Sequence, residues 1–172
     1  QPATIEFSLD GVDETDGITC WGGSDPVTLP DGTRYADFCK EANRRGELPP
    51  NVTIVRLHRT NRPGERSVNA TQANGYNTLT PEGVLGAERE IRGQIDQIIL
   101  FLRKYVPGYA QCKLKGSGST LGVRETRRIM GDYVISDHDV ETGARQPDAV
   151  VHNAWFLIDI HNPAGGGQAE GR

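Results

Sequence analysis

This 172-residue sequence has no apolar run approaching the roughly 20 residues that a membrane-spanning helix needs. It also lacks an excess of basic charge. The formal net charge is -4, so no overall field draws nucleic acid and any anion site has to be local. Cysteine is scarce: Cys20, Cys39 and Cys112 lie far apart with no C-x-x-C pair, which argues for reduced thiols over a disulfide framework or a metal knot. Asp137, His138, Asp139 and His152 show neither H-x-x-x-H nor H-x-H spacing, so no metal site is expected. Ser117 and Ser119 stand in GSGST, which lacks the G-x-S-x-G order of a nucleophile elbow. The opening QPATIEFSLDG reads as a strand and not as a leader peptide. The compartment stays open, with a cytoplasmic setting favoured; the N-x-T sequons at Asn51 and Asn69 would matter only on secretion.

Glycine, in contrast, is plentiful. The chain has 21 glycines and 10 prolines, which fits one polar, loop-rich domain. The stretch KGSGSTLGVRETRRIMGDYV suggests a phosphate-binding loop, but Gly116, Gly118 and Gly122 give G-x-G-x-x-x-G, one residue longer than the dinucleotide fingerprint. The residues that follow have no helical pattern, so no helix N-terminus is expected to face a pyrophosphate.

Along the chain, Ile5, Phe7 and Leu9 alternate with polar neighbours, as in a strand with one buried face. Residues 13–33 read as a long connection. Tyr35, Phe38, Cys39 and Ala42 recur at helical spacing, with Arg44 and Arg45 in the last turn and Gly46 at the C-terminal cap. NVTIVRLHRT reads as a second strand. The clearest element is a long amphipathic helix over about 80–105: Thr80 caps it, Pro81 takes the first position, and Val84, Ala87, Ile91, Ile95 and Leu102 mark its apolar face. RRIMGDYVIS predicts another strand, and DAVVHNAWFLIDIH one or two more. The sum is an α+β domain over residues 1–163, a mixed or antiparallel sheet with the long helix packed on it, followed by a flexible glycine-rich tail over 164–172.

Two groups of residues can carry chemistry. Arg124, Glu125, Arg127 and Arg128 place three guanidiniums and one carboxylate in five positions. Extended backbone would turn Arg127 and Arg128 to opposite faces, one of them inward. Such a run serves either as a salt-bridge network or as an anion clamp, since Arg binds oxyanions bidentately. Asp159 and His161 share a strand face by spacing, so the carboxylate could orient the imidazole for proton transfer; a histidine hydrogen-bonded to backbone is the plainer alternative. A non-enzymatic α+β module that binds a ligand or partner through its sheet is compatible with the same pattern. A carbohydrate hydrolase or lyase would need a carboxylate pair that the sequence does not reveal.

The runs GVRETRRIMGDYVISDHDV and PDAVVHNAWFLIDIHNP resemble the interior of a family of FAD-dependent oxidoreductases, the glutathione-reductase-like flavoproteins. That family carries G-[IV]-R-E-[ST]-R-R-I-x-G-[DE]-Y, then D-V, then P-D-A and D-x-H-x-P. Here these are Gly122 to Tyr133, Asp139-Val140, Pro147 to Ala149, and Asp159 to Pro163. The long helix leading into FLRKYVPGY is similar too, and the likeness spans roughly residues 50–163. Members begin with a strand and a G-x-G-x-x-G loop that holds the ADP half of FAD, which this sequence does not show.

The resemblance therefore implies an interior, substrate-side or cap segment of a larger flavoprotein, with its FAD-binding segments supplied elsewhere in the parent chain. It implies a parent that transfers hydride between a small-molecule substrate and FAD, and a segment that alone does not hold FAD stably. It implies that Arg124, Arg127 and Arg128 face the flavin or an anionic substrate with Glu125 fixing their geometry. Asp159 and His161 would lie near the flavin edge, with His161 a proton donor or acceptor. Neither nucleic acid nor a membrane is an expected partner.

Overall fold

The structure, a computed structural model, describes residues 2–153, 159–162 and 168–171, the side chains of 159–161 and 168–171 excepted. Its centre is a four-stranded antiparallel sheet in the order β3 (Arg56–Arg59), β4 (Arg66–Asn69), β2 (Phe7–Asp10), β5 (Lys113–Ser117). The inward face presents Phe7 and Leu9 from β2, Leu57 from β3 and Val68 from β4, all buried. These join one apolar cluster with Ala87, Ile91, Ile95, Ile98 and Leu102 of α2 (Pro81–Tyr105) and with Tyr35, Cys39 and Ala42 of α1 (Tyr35–Arg44). The fold is α+β, and its long helix lies over the expected span.

Local chemistry sets the helix ends. Thr80 Oγ1 accepts the Gly83 N–H at 3.2 Å, Pro81 fills the first position, and Glu82 faces the positive end of the dipole. The helix stops before Pro107, and Gly108 turns the chain at φ +81°; a Cβ there would lie 2.4 Å from the Gly17 backbone, so only glycine fits. In α1, Gly46 at φ +75° follows the last turn, with its N–H on the Asn43 carbonyl. Gln94 in α2 pins the connection before it, accepting the Gln72 N–H and donating to the Gln72 carbonyl, both at 2.8 Å.

A short second ladder closes the molecule. β1 (Ala3–Thr4) pairs with β6 (Gly122–Val123), and Ala3 also bridges Ala73. Beyond β6 the chain changes character. RRIMGDYVIS is not a strand: Ile129 and Met130 are 94% and 88% exposed, and the segment makes no ladder. It leads to α3 (Asp137–Thr142), where Ser136 and Asp139 form a reciprocal capping box that sequence reasoning did not single out. The strand expected over NVTIVRLHRT starts only at Arg56, because the Val52 N–H is used in a turn on the Pro49 carbonyl. In the last region, Val150 is 97% exposed in irregular backbone, and β7 (Asp159–His161) pairs antiparallel with β8 (Gln168–Gly171). Residues 154–158 of that expected strand, and Pro163, lie outside the described residues. Among the described residues, no helix is long and apolar enough to cross a membrane.

Candidate functional site

The arginine run begins where the β1–β6 ladder ends. Ala3 faces Val123, and the Arg124 N–H reaches the Pro2 carbonyl at 3.2 Å. Past Arg124 the run joins no strand among the described residues. The expectation that Arg127 and Arg128 lie on opposite faces of a strand, one of them inward, is therefore overturned: residues 124–128 are all exposed. Glu125 accepts a hydrogen bond from the Arg128 guanidinium three residues on. Arg127 has no ion pair or hydrogen bond with any described residue. The run is thus a partly self-paired cationic surface and not a buried network.

The glycines before it do not act as a turn. Gly116 lies in β5 opposite Ser8, the Gly118 N–H bonds the Glu6 carbonyl, and Gly122 lies in β6 opposite Thr4. None of the three adopts positive φ.

Further along, Asp139 of the D-V step serves its own helix. Its carboxylate accepts from Ser136 and, at 2.6 Å, from the Tyr133 hydroxyl, and these bonds hold its pKa below the usual carboxylate value, Ser136 contributing most. The backbones of Asp159 and His161 lie opposite Gly171 and Gln168 in the β7–β8 pair; their side chains fall outside the described residues. His58, on the outer face of β3, stacks edge-on with Trp21 at 4.7 Å. All three cysteines are free and buried, and burial raises each thiol, Cys39 to about 11. Among the described residues, no group of three or more His, Cys, Asp and Glu converges as metal ligands would.

Arg124 also lines a cleft of about 270 Å³ with Arg56, Asn51, Asn69, Thr71 and Gln72. Sequence reasoning gave these residues no shared role. Asn51 and Asn69 stood out only as sequons, and Arg56 only as one residue of the strand expected over NVTIVRLHRT. The pairing of Arg56 with Asn69 across β3 and β4 brings them together, and no spacing in the sequence signals that.

A family model described as FAD dependent oxidoreductase matches residues 1–172, the whole chain. The chain belongs to the FAD dependent oxidoreductase family. No curated protein and no solved structure gives a significant match. The match extends beyond the likeness visible over roughly 50–163.

Membership in this oxidoreductase family assigns FAD as the cofactor. The described residues do not fit its ADP half. A dinucleotide cradle needs a strand, a glycine loop and a helix whose N-terminus meets the pyrophosphate. Here the glycine stretch runs from β5 into β6, and the next helix, α3, starts fourteen residues after Val123 at Asp137. What this family member does present is an exposed cationic run beside a polar cleft.

Proposed function

We propose that the chain forms the substrate-side region of an FAD-dependent oxidoreductase of glutathione-reductase-like architecture, with the flavin held by other segments of the parent protein. The parent's reaction is hydride exchange between a small-molecule substrate and FAD, where the flavin carries the redox chemistry and the protein supplies orientation and electrostatics. One observation carries the reading. The apolar cluster of buried residues ends at Cys112, while the arginine run and the residues after it to 153 contribute no buried side chain despite carrying Ile129, Met130, Val134, Ile135 and Val150. A charged run followed by exposed apolar residues has the composition of a surface that meets another segment.

In this reading Arg124, Arg127 and Arg128 meet an anionic group of cofactor or substrate, and Glu125 holds Arg128 in place. Asp159 and His161 supply or accept the proton that accompanies substrate oxidation or reduction. The test uses the flavin-loaded parent protein. Arg127→Gln should weaken flavin retention or raise KM without changing the folded stability, and His161→Ala should lower kcat. Unchanged flavin content, KM and half-reactions in both variants would defeat the assignment.

A further inference from the structure

The cleft beside Arg124 has the chemistry of a binding site in its own right. Arg56 and Asn69 are register partners in β3 and β4, so both leave the sheet on the face opposite the core. Asn51 and Gln72 complete the wall from the segments that flank those strands. The floor is rigid. Thr71 is buried, its hydroxyl accepts the Ile5 N–H at 2.9 Å and donates to the Ile5 carbonyl at 2.8 Å, and Asn51 Nδ2 donates to the Gln72 carbonyl at 3.2 Å. The Gln94 amide fixes Gln72 from behind. Polar walls held this way cost little reorganisation on binding.

Charge and donor count then select a ligand. Among the described residues, two guanidiniums line the cleft against one carboxylate, that of the exposed Glu6. Arg56 has no ion pair or hydrogen bond with any described residue, and the Asn69 and Thr53 side chains likewise have none. Half-buried donors without protein partners are available to a ligand, and a guanidinium matches the two oxygens of a carboxylate or phosphate. Among the described residues no aromatic ring lines the cleft, so these residues offer no stacking surface for a planar heterocycle. Its volume equals that of about nine waters at ~30 Å³ each, the scale of a hydroxylated acid or a phosphorylated sugar.

We propose that this cleft binds a small polyhydroxylated organic anion. Arg56 and Arg124 hold its oxyanion, and Asn51, Asn69 and Thr53 bond its hydroxyls. That the bound anion is the substrate rests on the oxidoreductase reading; that the cleft binds it does not.

The experiment is a titration of the 172-residue chain, without FAD, by gluconate, glucose 6-phosphate, inorganic phosphate and neutral glucose, followed by amide and side-chain NMR shifts. Gluconate or glucose 6-phosphate should shift the resonances of Arg56, Asn69 and Thr71, more strongly than phosphate alone, and glucose should not. The tighter of the two anions identifies the oxyanion as carboxylate or phosphate. Arg56→Gln should weaken binding at least tenfold, with Asn69→Ala, a milder change, weakening the hydroxylated anions more than phosphate. Equal binding of glucose, no shift by either hydroxylated anion, or undiminished binding in both variants would overturn the site. In the flavin-loaded parent, binding without any effect on flavin reduction would refute the substrate role and leave the anion site intact.

Discussion

The guanidinium of Arg66 is 1% exposed and is clamped by the Glu14 carboxylate, Nη1 to Oε1 at 2.6 Å and Nη2 to Oε2 at 3.3 Å, across 52 residues of sequence. The Gly64 N–H adds a bond to Glu14 at 2.7 Å. The pair ties the connection after β2 to the start of β4. Removing the arginine would strand its partner and open a hole beneath the start of β4, so Arg66→Ala should destabilise the fold by about 3 kcal/mol, the low end for breaking a buried pair because Glu14 keeps contact with water. Chemical denaturation at neutral pH measures it.

The same pair makes stability depend on acid. The Arg66 hydrogen bond above all, and then the Gly64 N–H, hold the Glu14 carboxyl down to about 2. A depressed folded pKa means that the unfolded chain takes up the proton first as pH falls, near the ordinary glutamate value of about 4.3. The contribution of Glu14 is therefore complete above about 4.3 and is lost as pH drops toward 2. Glu14→Gln should flatten the difference in urea midpoint between pH 7 and about 2.5 relative to the parent sequence. An unchanged pH slope in the variant would refute the assignment.

Ile98 is buried where α2 meets the apolar cluster. Ile98→Ala should cost about 2–5 kcal/mol, read from thermal or urea unfolding. At the start of the same helix, Thr80→Ala should cost about 1 kcal/mol, because the Gly83 N–H loses its acceptor.

Arginines of one chain should differ by environment alone. Arg127 is exposed without a described partner, so Arg127→Ala should leave stability within about 0.5 kcal/mol of the parent, in contrast with Arg66→Ala. Two superimposable denaturation curves for the Arg66 and Arg127 variants would contradict this.

The three cysteines should be chemically silent in the folded state. Burial raises each thiol, so little thiolate exists at neutral pH, and side-chain packing blocks access. Titration with a chromogenic disulfide at pH 8 should report no rapid thiol in the native protein and three after denaturation. A fast-reacting thiol in the native protein would mean that one of the three is open to solvent.

Legibility in the sequence followed the strength of periodic burial. Both long elements with an apolar stripe and a capping residue, α1 and α2, were readable, as was the alternation of Ile5, Phe7 and Leu9. β4 was not, because its inward positions are Arg66 and Val68, and a buried arginine breaks the hydrophobic signal. β5 is an edge strand whose lysines and glycine give no alternation to read. RRIMGDYVIS misled in the opposite way: apolar residues usually mark burial, but these stay at the surface because no described partner covers them. The S-x-x-D at Ser136 was a readable helix start that apolar patterning alone passes over. The arginine run was visible as composition. Its position beside Arg56 and Asn69 was not, since that proximity comes from strands far apart in sequence.

The central strand β2 pairs on one side with β4 and on the other with β5, Phe7 opposite Ser117, while Ala3 waits for Val123. During synthesis, β2 therefore stays half-paired until more than a hundred further residues have emerged. Loop closure over that distance precedes any reward from the contacts it makes. The nascent chain thus carries an open sheet edge from the emergence of β2 to that of β5, and the arginine run follows only once that edge can close.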